Sequence, residues 1–281
     1  MFSSVASRRF INRLFIVLST LAFLIALVPL LSILYQTLSR GYAALNLDFF
    51  TQLTPPIGGA GGGIINAIEG SLTCVGIASL IGIPVGLFAG AYLYEYPGKL
   101  ANNLRLVAEV LTGVPSIVTG IVVYVVIVAT FHSFSAFAGG IALSFMMIPI
   151  VAISTHESLK LVPNSIKEGG LALGVSRSKT LVYILVSTAK GGIVTGIALS
   201  VARIMGETAP LLFTALGNQF MMNSIFAPAE SMTVLIYSYG TSPYPTAHAF
   251  AWGAALILLL LVLGLNVVVR IASRLKPTTA I

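Results

Sequence analysis

The run Leu14-Phe15-Ile16-Val17-Leu18-Ser19-Thr20-Leu21-Ala22-Phe23-Leu24-Ile25-Ala26-Leu27-Val28-Pro29-Leu30-Leu31-Ser32-Ile33-Leu34-Tyr35-Gln36 has no charged side chain. At about 1.5 Å of rise per residue, a helix of this length crosses the roughly 30 Å hydrocarbon layer of a bilayer. Arg8, Arg9 and Arg13 precede it. Its length, and the lack of an A-x-A cleavage site, mark an uncleaved first span rather than a signal peptide. Five further apolar runs follow, at about 64–94, 106–130, 136–154, 190–213 and 246–271. The expected fold is an all-α integral membrane protein of about six transmembrane helices, a single transmembrane domain over 1–281.

Composition agrees. Of the 281 residues, 57% are hydrophobic and only 8% charged, against roughly 25% charged in soluble proteins. So few charges cannot cover a water-soluble body, which excludes a soluble domain and a disordered tail. The lone Cys74 excludes a disulfide scaffold. The net charge of +7 could suggest nucleic acid, but the polar segments lack interleaved basic and aromatic residues. Sidedness accounts for the charge instead. With the N-terminus inside, 13 of the 15 Lys and Arg fall on inner segments: Arg8, Arg9, Arg13, Lys99, Arg105, Lys160, Lys167, Arg177, Lys179, Lys190, Arg270, Arg274 and Lys276. Arg40 is outside and Arg203 lies within a span. This bias predicts two cytoplasmic termini in a cell (plasma or inner) membrane.

Three connections are long. The outer segment 37–63, with Pro55-Pro56 and glycines up to Gly63, reads as a flexible linker. The outer segment 214–247 holds apolar patches too short to span, which lie on the membrane surface or fold back into the protein. The inner segment 155–189 is too polar to span and too apolar for a plain linker, with Leu159, Leu161, Ile166, Leu171, Leu173 and Val175. It must dock on this chain or on a partner.

No phosphate-cradling G-x-x-x-x-G-K-[ST] loop, H-E-x-x-H or G-x-S-x-G motif is present, so neither ATP hydrolysis nor other enzymatic chemistry is expected of this chain. The anomaly is Arg203-Ile-Met-Gly-Glu207-Thr-Ala-Pro210. With Lys190 taken as the inner end of the fifth span, Arg203 lies about 20 Å in, near mid-layer, where a charge costs at least about 2.5–3.5 kcal/mol. Glu207 at i+4 can pair with it, and Gly192, Gly196 and Ser200 share its face. Such a stripe faces a partner helix or a watery path. Either a structural ion pair or a solute pathway fits, and a guanidinium suits an oxyanion. Glu69 reads as interfacial and solvated.

These residues resemble a known family. Glu168-Gly169-Gly170, Gly174 after three residues and Ile184 after nine more are similar to the E-A-A-x3-G-x9-I-x-L-P signature of ABC importer permeases. The departures are Gly169 and Gly170 for two alanines and Val186-Ser187 for Leu-Pro. Gly63-Ile64-Ile65-Asn66-Ala67-Ile68, Gly90-Ala91-Tyr92-Leu93-Tyr94-Glu95-Tyr96, Gly113-Val114-Pro115-Ser116-Ile117-Val118 and Gly206-Glu207-Thr208-Ala209-Pro210-Leu211-Leu212 resemble phosphate-transport permeases of the PstA type, over nearly the whole chain.

The resemblance implies the type I ABC importer permease fold with a cytoplasmic coupling helix. It implies an importer of inorganic phosphate in which this chain forms half of the pathway. The implied partners are a PstC-like second permease, a PstB-like ATPase dimer and an extracytoplasmic PstS-like binding protein, with membrane lipid around the spans. ATP and Mg would be bound by the ATPase, with no cofactor in this chain. Arg203, Glu207 and Thr208 would line the pathway, and Glu168 and Gly174 would couple to the ATPase. The two glycines put the stiffness of the coupling segment in question, while Gly174 suits a left-handed helix end. Three competing readings are a permease for another oxyanion, a self-sufficient secondary transporter with broken midplane helices, and a phosphate sensor that moves nothing.

Overall fold

The computed structural model describes residues 5–59 and 61–274, so Lys276 lies outside the described residues. Within them the fold is helical. Helices α1 (Val5–Tyr42), α2 (Leu47–Thr51), α3 (Ile65–Glu95) and α4 (Lys99–Gly113) are followed by α5 (Ser116–Phe131), α6 (Ala136–Lys160) and α7 (Asn164–Ala172). Then come α8 (Arg177–Met205), α9 (Ala209–Thr214), α10 (Met232–Gly240) and α11 (Pro245–Arg274).

Five helices are long and apolar enough to cross a membrane: Ser7–Tyr42, Ile65–Glu95, Ala136–Lys160, Arg177–Met205 and Pro245–Ile271. The expected 106–130 span is not one straight helix. It covers the second half of α4 and nearly all of α5, a pair bent by 102° between them. Val114 and Pro115 are extended there, with ψ of 131° each, because a proline ring disfavours helical geometry in the residue before it. Arg105 binds α4 to the end of α6, its Nε 2.8 Å from Glu109 and its Nη2 3.3 Å from Glu157.

The centre of the bundle is α3 against α6. Gly82, Gly86 and Gly90 let the two backbones close up: a Cβ on Gly86 would lie 2.6 Å from Val151 Cβ, and one on Gly82 2.8 Å from Met147 Sδ. Small residues are what permit such approach between helices in lipid, where no hydrophobic force drives association. Cys74, Ala78, Leu143, Met147, Val151 and Ile204 form the buried core around this contact. Helix α8 packs on α6 and also touches α3, and α1 packs on α11.

The 37–63 segment is not the flexible linker expected. Asn46 caps α2 by accepting from Phe49 N–H at 2.8 Å. The Phe49 ring is buried among Ile64, Ala247, Ala251 and Ala254. Gly63 passes so close to α2 that a Cβ there would lie 2.5 Å from the Asp48 carbonyl. The 214–247 segment takes the second of its two expected forms and folds back: Met232 and Leu235 of α10 are fully buried against α3 and α11.

Candidate translocation site and docking segment

The expected 190–213 span is also corrected. Its helix starts thirteen residues earlier, at Arg177, and stops at Met205. Lys190 is therefore inside α8 and does not mark its end. Gly206 ends the helix, and Pro210, which has no N–H and whose ring would clash with the carbonyl four residues back, forces a new start at α9.

Arg203 nevertheless sits near the middle of the bundle. A Cβ on Gly192 would lie 2.6 Å from Ser158 Oγ, and one on Gly196 would touch Ser154. Helices α8 and α6 thus run antiparallel, four residues up for four residues down. Continued, that register puts Arg203 level with Met147, eleven residues from Ala136 and thirteen from Lys160. Ile204 shares a core cluster with Met147, as this register requires. The small-residue stripe Gly192, Gly196, Ser200 faces a helix, not a path: Ser200 is fully buried. The face is closed at Gly196 and Ser200 and open at Gly192 and at Arg203.

There Arg203 Nε lies 3.9 Å from Glu207 Oε1, with side chains 47% and 18% exposed. The pair is formed, but loosely, and the other guanidinium nitrogens meet no acceptor among the described residues. Glu207 lies in the break after α8, and its carbonyl accepts from Thr233 Oγ1 of α10 at 2.9 Å. Thr208 precedes α9, its carbonyl accepting from the Leu211 and Leu212 amides at 3.1 Å each. Across the break lies the other bent element, where a Cβ on Gly120 of α5 would lie 2.8 Å from Pro210 Cα. The two interrupted helices therefore meet beside a half-exposed cation.

Sequence reasoning missed a polar cluster over one end of α3. Asn66, 2% exposed, accepts from Thr54 N–H at 3.1 Å and Thr54 Oγ1 at 2.8 Å, and donates to the Asn218 carbonyl at 2.7 Å. Glu69 is not simply solvated: it accepts from Met222 N–H at 3.1 Å. Glu230 is 8% exposed. Burial pushes its carboxyl up to about 7, against the pull of the Ser231 and Asn218 N–H groups. An acid within the apolar stretch Ala227-Pro228-Ala229-Glu230 was the available signal.

At the other end of the bundle the 155–189 connection contracts. Helix α6 runs to Lys160 and α8 begins at Arg177, leaving α7 and two turns between them. Gly174 has φ +76°, the left-handed geometry expected of it. Gly169 and Gly170 do not interrupt α7, and Gly170 is buried where a Cβ would lie 2.9 Å from Ile184 Cδ1. Glu168 is exposed, and Leu161 and Leu173 are 84% and 85% exposed. Lys167 turns inward, its Nζ 2.7 Å from Glu95 Oε2 of α3.

A multi-span helical bundle with a cation near its middle and exposed leucines flanking a short helix at one end has the build of a membrane permease, a subunit that is not itself the ATPase. The chain belongs to the family described as binding-protein-dependent transport system inner membrane component, whose model matches residues 82–276. The resemblance to PstA-type permeases is borne out. A phosphate transport system permease protein PstA from Yersinia pestis is 42% identical over 95% of this chain and 91% of its own length. A probable one from Methanocaldococcus jannaschii is 36% identical over 89% of each. Among solved structures, a bacterial alginate ABC transporter chain matches with a TM-score of 0.67 at 15% identity, covering 97% of this chain and 99% of its own. A chain of the MetNI methionine ABC transporter, in an inward-facing form, matches with a TM-score of 0.60 at 19% identity, covering 75% and 92%. The fold is thus that of ABC importer permeases. Broken helices alone would also have suited a secondary transporter; the family match decides against it.

Proposed function

We propose that this chain is one of the two permease subunits of an ATP-driven importer of inorganic phosphate, a single transmembrane domain forming half of the translocation path. The observation that carries the reading is Arg203: a guanidinium at mid-bundle, half exposed, with one loose carboxylate partner and, among the described residues, no other acceptor for N–H groups suited to an oxyanion. The names of the relatives support phosphate over sulfate, molybdate or phosphonate. Glu207 holds the guanidinium in place, and Thr208 starts the helix that closes the break.

Both termini are cytoplasmic in this reading, which the basic bias supports. The α7 face with Glu168, Leu171 and Leu173 then docks on a PstB-like ATPase dimer, which binds ATP and Mg, and Gly174 turns the chain back toward α8. The other permease half is PstC-like, and a PstS-like binding protein delivers phosphate from outside. ATP closes the ATPases, α7 moves with them, and the spans rock between outward and inward openings.

The test is reconstitution of this chain with those three partners in vesicles, followed by radiolabelled phosphate uptake. Uptake that requires ATP and is unaffected by excess sulfate, molybdate or phosphonate is expected. Uptake of one of those anions instead would overturn the substrate, and uptake without the ATPase would overturn the class.

A further inference from the structure

We propose that Lys167 and Glu95 are positioning residues for transport: their ion pair ties α7 to α3, and α3 carries the movement of α7 to the loop at its far end. The inference rests on the reading of α7 as the ATPase-docking segment, and concerns where its motion goes next.

Helix α7 is joined to α6 and α8 through the chain itself, by turns of three and four residues. Nothing covalent joins it to α3. What does is a short ion pair with a nearly buried acid: Lys167 Nζ to Glu95 Oε2 at 2.7 Å, with Glu95 5% exposed. The ammonium also lies 5.0 Å from the centre of the Tyr94 ring, within cation–π range. Beneath the pair, Leu87, Ala91 and Tyr94 of α3 pack in one cluster with Leu159, Val162 and Ile166. The opposite face of α7 is left to a partner.

Helix α3 then runs unbroken for 31 residues, Pro84 included. Its other end is bound to the 215–232 segment by direct bonds. Asn66 donates to the Asn218 carbonyl at 2.7 Å, Glu69 accepts from Met222 N–H at 3.1 Å, and Ser71 Oγ accepts from Met232 N–H at 2.8 Å. Gly70 sits against the Glu230 carbonyl with no room for a Cβ. That segment follows α9 and the break beside Arg203. A rigid element gripped at both ends is the kind of contiguous network through which coupling travels. A force on α7 therefore reaches the loop beyond Arg203 through α3, alongside the α8 helix that carries Arg203.

The experiment uses the assembled transporter in vesicles and reads phosphate moved per ATP hydrolysed, a ratio that a purely structural role would not move. The double variant Glu95→Gln with Lys167→Gln removes both charges and strands neither. Its expected ratio falls at least tenfold while ATP hydrolysis stays within twofold. The swap Glu95→Lys with Lys167→Glu should recover the ratio to within threefold. A Leu171→Cys probe, in a Cys74→Ser background, should cross-link to the ATPase throughout. Absence of that cross-link in otherwise unaltered protein would overturn the docking reading. Cross-linking together with a normal ratio in the neutral pair would overturn the α3 linkage alone. Where the neutral pair does not assemble, the swap decides: an assembled swap with a ratio still tenfold down overturns the linkage.

Discussion

Replacing Arg203 by Gln separates the two roles an intramembrane ion pair can have. Were Arg203–Glu207 a buried structural pair, removing one partner would leave an unpaired charge at a cost of about 3–5 kcal/mol. For a chain of this size, at about 2–4 °C per kcal/mol, the melting temperature would fall by roughly 6–20 °C. The geometry argues for far less. The nitrogen and oxygen are 3.9 Å apart and the arginine is 47% exposed on this chain; where that open face lines a water-filled path, as proposed, the pair falls in the regime of solvent-exposed pairs, about 0–1 kcal/mol. Arg203→Gln should therefore shift the melting temperature of the purified complex by under about 4 °C and leave the ATPase bound. Phosphate uptake should nevertheless drop to background, because the positive charge facing the passing anion is gone. Adding Glu207→Gln should not restore it. The assay pairs thermal unfolding in detergent with uptake in vesicles. A large loss of stability in the single variant, rescued together with uptake in the double, would show that the pair is structural and that the pathway role is wrong.

Three further outcomes are expected. Gly174→Leu, at φ +76°, forces a side chain into the left-handed region at about 1–2 kcal/mol; the protein should insert, but uptake and ATPase stimulation should fall together, and normal transport would remove Gly174 from the coupling segment. Glu230 holds its proton more tightly when folded, so its contribution to stability is fully present below about pH 4.5 and is lost as pH rises through about 7. Glu230→Gln should flatten the pH dependence of the melting temperature between pH 5 and 8 and stabilise the protein at pH 8 by up to about 3 kcal/mol; an unchanged pH profile would count against a buried carboxyl. A Gln219→Cys probe in a Cys74→Ser background should label only from outside the cell, and labelling only from the cytoplasm would invert the proposed topology.

The membrane class, four of the spans, part of a fifth and the left-handed turn at Gly174 were legible because each depends on local chemistry. The length of an apolar run is set against bilayer thickness, and only glycine takes φ +76° without strain. The two helix breaks were not legible in the same way. Pro115 and Pro210 interrupt their helices, yet Pro29, Pro84 and Pro149 lie inside unbroken ones. Nothing in the neighbouring residues says which proline will break a helix. In α3 and α6 the helices run uninterrupted through Pro84 and Pro149, packed on each other along Gly82, Gly86 and Gly90. At Val114–Pro115 and Gly206–Pro210 the chain turns, and the helices that follow, α5 and α9, pack on each other.

The same division runs through the site. Residue types at i and i+4 made Arg203 and Glu207 neighbours, and helical periodicity put Gly192, Gly196 and Ser200 on their face, from the sequence by itself. That this face meets Ser154 and Ser158 of α6, closes at Gly196 and Ser200 and opens again at Arg203 depends on the antiparallel register of two helices. The Gly-rich 37–63 segment looks flexible because its order comes from Phe49 entering a cluster built by α11, some 200 residues later. Lys167, Glu95 and the Asn66–Asn218 link belong to the same kind. Each joins residues far apart in sequence, so no local pattern marks them. They exist only once the packing of α3, α6 and α8 has brought their partners within hydrogen-bond reach.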